Sequence, residues 1–214
     1  MKLEAGNAGT STQAHLIRRP RLTTLLDAVS ARIILLVAPA GYGKTTLARE
    51  WLNDRRHAWY RGNAATGDVA ELALGMATAC STILPGCADR LIDRLRVSRE
   101  PADDVQRLAD LLAADLLAWP NEAWIGFDDY QFACDSDVAE TFIELVLARS
   151  DIRVVVASRS RPRWATARRT LYGEVFEVGR SLLAMTRREA LNALRHRSGI
   201  MQTTSCRWQM VGRL

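Results

Sequence analysis

Lys44 and Thr45 close a Gly-rich stretch, Ala38-Pro39-Ala40-Gly41-Tyr42-Gly43-Lys44-Thr45-Thr46. Their order is that of a phosphate-binding loop. Successive backbone N–H groups in such a loop converge into an anion nest, and the positive end of the following helix adds to the attraction. The lysine reaches the β- and γ-phosphates of a nucleotide, and the adjacent hydroxyl goes to Mg²⁺. The pattern G-x-x-x-x-G-K-[ST] asks for Gly where this chain has Ala38. One methyl group at a strand end, where φ is negative, is expected to be tolerated. Gly43 matters more, because it lets the backbone approach a phosphate closely. A plain Gly-rich turn between strand and helix is the alternative, and composition argues against it. Of 29 Lys and Arg residues only Lys2 and Lys44 are lysines. An internal Lys directly after Gly43 marks a role that a broad guanidinium fills poorly.

A second constellation is Trp124-Ile125-Gly126-Phe127-Asp128-Asp129-Tyr130, an apolar run ending in two acids. This is the form of a Walker B element. One carboxylate at a strand end binds Mg²⁺ directly or through water, and the second orients or deprotonates the attacking water. Asp128 is assigned to the metal and Asp129 to the water; the alternative is a turn that caps the next helix. Asp135 and Asp137 read as helix-start residues. A third candidate follows the apolar run Ile152–Ala157, in Ser158-Arg159-Ser160-Arg161-Pro162. If that strand lies beside the phosphate-loop strand, Arg159 faces the γ-phosphate and can sense it or stabilise transition-state charge. Otherwise it is a surface arginine in a loop. Arg161 and Arg163 are weaker candidates for the same role.

The elements that must position these residues alternate in type. Apolar spacing predicts a helix over 22–29 after a lead-in at 15–21, a strand over 32–37, a helix over 44–53 and a short strand over 57–61. A helix over 68–84 ends at Pro85-Gly86. Pro101-Ala102-Asp103-Asp104 places a proline and acids in the first turn of a helix reaching Pro120. Strands follow at 123–127, 152–157 and 175–178, with a helix over 138–149 between the first two. Thr186 and Glu189 are spaced as a capping box for a last helix. Such alternation predicts an α/β fold with a five-stranded parallel sheet flanked by helices, a nucleotide at the carboxyl ends of the strands, and a short C-terminal helical extension.

At 214 residues the chain suits one large domain that needs no staples. Composition, 48% hydrophobic and 25% charged, reads as soluble and globular. No apolar run nears the roughly 20 residues needed to span a bilayer. The first residues carry no signal-peptide core, so a cytoplasmic location is expected. Residues 1–14 read as a disordered tail, 15–198 as the nucleotide-binding domain, and 199–214 as an irregular, truncated end. Cys80, Cys87, Cys134 and Cys206 form no C-x-x-C pair, and His15, His57 and His196 are scattered, so reduced buried thiols are expected rather than zinc. From Arg153 onward, 13 arginines face three glutamates. That basic end suits nucleic acid or an acidic partner domain, but it lacks interleaved aromatics and any helix-turn-helix pattern.

The series RRPRL, LLVAPAGYGKTTLAREWL, FDDYQ, VVVASRSRP and LLAMTRREALNAL resembles the nucleotide-binding domain of MalT-like transcriptional activators. These are STAND-class signalling ATPases that often end in a LuxR-type DNA-binding domain. The resemblance covers about residues 15–198. It implies an AAA+-related core in which one strand separates the Walker A and Walker B strands, with ADP in a closed resting state and ATP in an assembled active one. Arg18, Arg19 and Pro20 match the family's lead-in segment, near where adenine and ribose lie. Arg159 matches its sensor position. Gln131 stands where family members often carry His, which counts against a polar relay at that residue but not against metal binding. The family continues into a winged helix, a repeat-built sensor and a DNA reader that the segment 201–214 does not resemble. Self-association on ATP binding and DNA contact are therefore expected only where those domains are supplied.

The expected activity is ATP or ADP binding with Mg²⁺ and slow ATP hydrolysis, in a switch module of a transcriptional regulator. Two alternatives stay open. A stand-alone P-loop enzyme such as a small-molecule kinase needs an acceptor pocket and a lid, and Arg161, Arg163, Arg168 and Arg169 are candidates for the lid. A non-hydrolysing nucleotide-binding protein needs only occupancy.

Overall fold

The structure is a computed structural model that describes residues 18–191. It separates into two compact units: residues 20–184, and a small one whose described residues are 18–19 and 185–191. The expected boundaries at 14/15 and 198/199 lie outside the described residues. So do Cys206, His15 and His196.

In the larger unit the strands are β1 (Ile33–Val37), β2 (His57–Arg61), β3 (Trp124–Asp128), β4 (Arg153–Ser158) and β5 (Val175–Val178). All neighbours pair in parallel, in the order β2-β3-β4-β1-β5. β1 and β3 are therefore separated by β4, as the resemblance implies. The central strands β1, β3 and β4 are largely buried, near-continuous apolar runs because helices cover both faces. Side chains alternate between two cores. Ile33, Leu35, Ile125, Phe127, Val154 and Val156 join one; Ile34, Leu36, Trp124 and Val155 join the other. Each fully buried aliphatic side chain contributes about 1.5–3 kcal/mol relative to exposure.

The first core is closed by α3 (Val69–Cys80), α4 (Asp89–Val97), α5 (Val105–Asp115), α6 (Gln131–Cys134) and α7 (Asp137–Arg149). The second is closed by α1 (Pro20–Asp27), α2 (Lys44–Leu52) and α9 (Arg180–Leu183); α8 (Ala167–Leu171) precedes β5. Trp51 of α2 meets Trp124 edge-on at 4.8 Å. Its indole N–H donates to Asp27 Oδ1 at 2.7 Å, which fixes α2 against the end of α1. Gly126 interrupts the apolar run of β3 because a Cβ there would lie 2.3 Å from the Trp59 ring.

The expected helix over 68–84 is shorter: Asp68 caps α3 through the N–H groups of Ala70 and Glu71, and 81–88 turn into α4. The helix predicted from Pro101 begins only at Val105, because Asp104 spends its carboxylate on Arg94 and Ser98 instead of capping. α4, α6, α8 and α9 have no counterpart among the predicted helices. Ser136 caps α7, with Asp137 in its first turn, while Asp135 ends α6. Among the described residues no helix is long and apolar enough to cross a membrane.

In the small unit Arg19 pairs with Glu189 at 3.6 Å. Thr186 and Glu189 exchange side-chain-to-backbone hydrogen bonds of 2.8 and 3.2 Å, a reciprocal cap for the helical turn that follows. Leu191 on that turn is 45% exposed.

Candidate functional site

β1 runs into the loop 38–43, and α2 begins at Lys44. Ala38 is buried, and its N–H donates to Ser158 O at 3.3 Å, which pins the start of the loop to the end of β4. Gly41 (φ 84°) and Gly43 (φ 73°) are both left-handed. A side chain at either would be strained, and this backbone turns the loop into the N-terminus of α2. Pro39 and Ala40 are exposed, while Tyr42 and residues 43–46 are half-buried. The Lys44 ammonium donates to Ala38 O at 2.7 Å and Pro39 O at 2.9 Å. Burial lowers the Lys44 pKa and the charge of Arg159 lowers it further, against Asp128 and Asp129, which raise it.

The Thr45 hydroxyl donates to Asp128 Oδ1 at 2.7 Å across 83 positions of chain. Asp128 is 2% exposed, and its other oxygen, Oδ2, is buried without a hydrogen-bond partner. A buried anionic oxygen left unsatisfied is costly. A hydroxyl and a hard carboxylate oxygen side by side fit Mg²⁺, which takes one or two protein oxygens and completes its shell with phosphates and water.

Asp129 follows with φ 52°, alone among the described non-glycine residues in having a positive value. Aspartate is one of the few residues that tolerates this region. Both carboxylate oxygens are engaged: Arg61 Nε donates to Oδ2 at 3.0 Å, and Gln131 Nε2 to Oδ1 at 3.0 Å. Burial works against the charge of Asp129. The hydrogen bonds from Gln131 and Arg61, with the charges of Arg61 and Arg159, outweigh it and hold the carboxyl below its usual range. The end of β2 lies directly against this turn. Gly62 N–H donates to Asp128 O at 2.8 Å, and a Cβ on Gly62 would meet Asp129 O at 2.8 Å.

β4 lies between β1 and β3, so Arg159 emerges at the same edge as Lys44 and Asp129, and its charge acts on both. Its guanidinium has no hydrogen-bond or ion-pair partner among the described residues. Its backbone N–H donates to Gln131 Oε1 at 3.2 Å. Gln131, which stands where the resemblance has His, thus hydrogen-bonds to both Asp129 and Arg159. Arg161 and Arg163 are committed elsewhere, the first to Glu177 at 2.8 Å and the second to Asp137 at 2.8 Å. Arg169 pairs with Glu174 at 3.7 Å.

Behind the Asp128–Asp129 turn, Tyr130 N–H donates to Ala157 O at 3.1 Å and stitches the turn to β4. The Tyr130 hydroxyl accepts from the Trp164 indole at 2.6 Å inside the core. Glu140, also buried, accepts from the Arg163 N–H at 2.6 Å. On the loop side Arg180 Nε donates to the Tyr42 hydroxyl at 2.9 Å. Arg61, Gly62, Tyr130 and Arg180 were missed by sequence reasoning. Arg61 alone carried a signal: it ends its strand as Asp128 ends β3, and the two are register partners. Of the lead-in residues, Pro20 is the exposed first residue of α1, while Arg18 and Arg19 belong to the small unit.

A parallel sheet of this order, with the Gly-Lys-Thr loop after β1 and paired acids at the end of β3, is the fold of P-loop ATPases. The chain is homologous to the HTH-type transcriptional regulators MalT. It is 29% identical over 184 residues to MalT of Vibrio parahaemolyticus serotype O3:K6, covering 81% of this chain and 19% of that protein. It is 27% identical over 180 residues to MalT of Cronobacter sakazakii, covering 82% and 20%. The chain thus spans about a fifth of the length of these relatives. Its fold is similar to that of the Signal Transduction ATPase with Numerous Domains (STAND) protein with a tetratricopeptide repeat sensor from Pyrococcus horikoshii. There the TM-score is 0.58 at 19% identity, over 84% of this chain and 25% of that one. No protein-family model matches the chain.

Proposed function

We propose that this chain is the ATP-binding module of a MalT-like transcriptional regulator, a nucleotide switch with slow Mg-dependent ATPase activity. The observation that carries the reading is the 2.7 Å contact between Thr45 and Asp128, with a buried, unpartnered carboxylate oxygen beside it and the Gly41–Lys44 loop in front. In this reading the N–H groups of residues 41–45 hold the phosphates. Lys44 exchanges the Ala38 and Pro39 carbonyls for the β- and γ-phosphates. Thr45 and Asp128 hold Mg²⁺, which when bound supplies positive charge against the phosphate oxygens. Asp129 orients the attacking water, and Arg159 meets the γ-phosphate. Arg18, Arg19 and Pro20 are assigned to the adenine side on family likeness alone.

Slow turnover suits the state of Asp129. A carboxylate with both oxygens given to Arg61 and Gln131, and held easily ionised, is a weak base until one donor lets go. The same observation favours the non-hydrolysing reading of the isolated module, because a switch needs occupancy more than rate. The kinase reading is disfavoured: Arg161, Arg163 and Arg169, which a lid would use, are tied to acids. Assembly on ATP and DNA binding are assigned to parts of the longer relatives that this chain does not span.

Titration calorimetry of ATP and ADP, with and without Mg²⁺, tests the reading in wild type and Lys44→Ala. Wild type is expected to bind both nucleotides, Mg²⁺ to strengthen ATP binding, and Lys44→Ala to weaken it at least about tenfold, the factor 1.4 kcal/mol supplies. Full ATP affinity in Lys44→Ala would sink the proposal.

A further inference from the structure

Gln131 is the first residue of α6 and makes two hydrogen bonds in opposite senses. Its Nε2 donates to Asp129 Oδ1 at 3.0 Å, and its Oε1 accepts from the Arg159 N–H at 3.2 Å, 28 positions away. Only one orientation of the amide serves both, because a carboxylate can only accept and a backbone N–H can only donate. The bridge therefore needs a side chain with one donor and one acceptor, fixed relative to each other. It joins the strained turn after β3 to the residue that leaves the end of β4. Those are the two places whose charged groups act on one another and on Lys44.

The geometry points to Gln131 as the positioning residue that locks the Asp129 carboxylate and the Arg159 backbone into one unit, so that the site distinguishes a nucleoside triphosphate from a diphosphate. The inference rests on the nucleotide-switch reading above and deepens it. Arg159 meets only a terminal phosphate that a diphosphate lacks. A change in its backbone is carried to Asp129 through a single side chain, and the reverse holds by linkage. Gln131 touches neither phosphate nor water in this scheme, so its substitution leaves diphosphate binding intact and removes discrimination. Tyr130 N–H on Ala157 O holds the strands together without reporting on either charged group.

The test uses the full 214-residue chain in four forms: wild type, Gln131→Leu, Gln131→Glu and Gln131→His. Leucine keeps the bulk and removes both polar atoms. Glutamate, ionised, keeps an acceptor for Arg159 but repels Asp129. Neutral histidine restores one donor and one acceptor. Two readouts are taken: amide hydrogen exchange at Arg159 without nucleotide, and the ratio of ATP to ADP affinity by calorimetry. Exchange at Arg159 is expected to be about two- to tenfold faster in Gln131→Leu, the size of one modest hydrogen bond, and near wild type in Gln131→Glu. The ATP/ADP ratio is expected to fall about tenfold in both, with ADP affinity within about twofold of wild type, and to recover in Gln131→His. Equal losses for ATP and ADP, or an unchanged ratio, overturn the inference. So does Arg159 exchange in wild type as fast as in Gln131→Leu, a result that stands whether or not nucleotide binds. A wild type that binds neither nucleotide overturns the switch reading and the discrimination built on it, while the exchange data still report the bridge itself.

Discussion

Charged groups at the strand ends are held by a few partners each, and burial sets how each behaves. Lys44 is folded onto carbonyls of its own loop, Asp128 keeps one oxygen unpartnered, and Asp129 keeps none. The positive φ of Asp129 is the kind of backbone strain that survives where surrounding contacts over-determine it. Cys134, nearby, shows the opposite use of burial. Desolvation, then the charge of Glu140, pushes its thiol up to about 12. A thiol with a raised pKa is protonated, and so unreactive, at every pH below it. Cys134 is therefore expected to alkylate with iodoacetamide at pH 8 at least about tenfold more slowly in the native protein than in denaturant, as peptide mapping would measure. Equal rates in the two states would contradict the raised pKa of this half-buried thiol. The chemical types at this scale were largely legible: Lys44, Thr45, Asp128, Asp129 and Arg159 all stand at one edge of the sheet. Their partners were not, since Arg61 and Gln131 matter only through distances that local patterns do not encode.

Among the elements, β4 is the one that makes the site, because it separates β1 from β3 and lends each a hydrogen bond beyond its ladder. Ala38 N–H goes to Ser158 O, and Tyr130 N–H to Ala157 O. The loop that leaves β4 is anchored in turn by Trp164, whose indole N–H is satisfied by the Tyr130 hydroxyl inside the core. Tyr130→Phe keeps the ring contacts with Phe127 and Trp164 but strands that N–H. It is expected to cost about 1–3 kcal/mol in urea unfolding, the penalty for a buried unsatisfied donor. A change below about 0.5 kcal/mol would mean that the indole finds another partner. The strands were readable from runs such as Ile33–Val37 and Val154–Ala157. α4 was not: its stretch Asp89–Val97 is dominated by charge, and only Leu91 is fully buried. α6, α8 and α9 are four or five residues long, too short for periodicity to declare them.

For the whole molecule, the basic balance is spent largely within the fold. Arg32, Arg161, Arg163 and Arg169 pair with acids. The guanidinium of Arg153 lies over the Trp124 ring, and that of Arg168 over the Tyr172 ring. A nucleotide that binds the native state alone stabilises it by about 2.7 kcal/mol at a hundredfold excess over Kd. For a domain of this size that is a rise of about 5–10 °C in Tm. MgADP is expected to give that rise in wild type and, at the same concentration, about half of it or less in Lys44→Ala, by scanning calorimetry. The same rise in both would place the binding outside the loop.

By itself the sequence determined the local chemistry and the alternation. A Gly-Lys-Thr turn after an apolar strand, two acids after another and an arginine after a third are short-range patterns, written in backbone freedom and side-chain type. Only the tertiary structure decided the order β2-β3-β4-β1-β5, and with it that Thr45 meets Asp128 while Arg61 and Gln131 share Asp129. Parallel neighbours are joined by crossovers that leave no trace in the strands themselves. Which strand ends come together is settled by how two cores pack on one sheet.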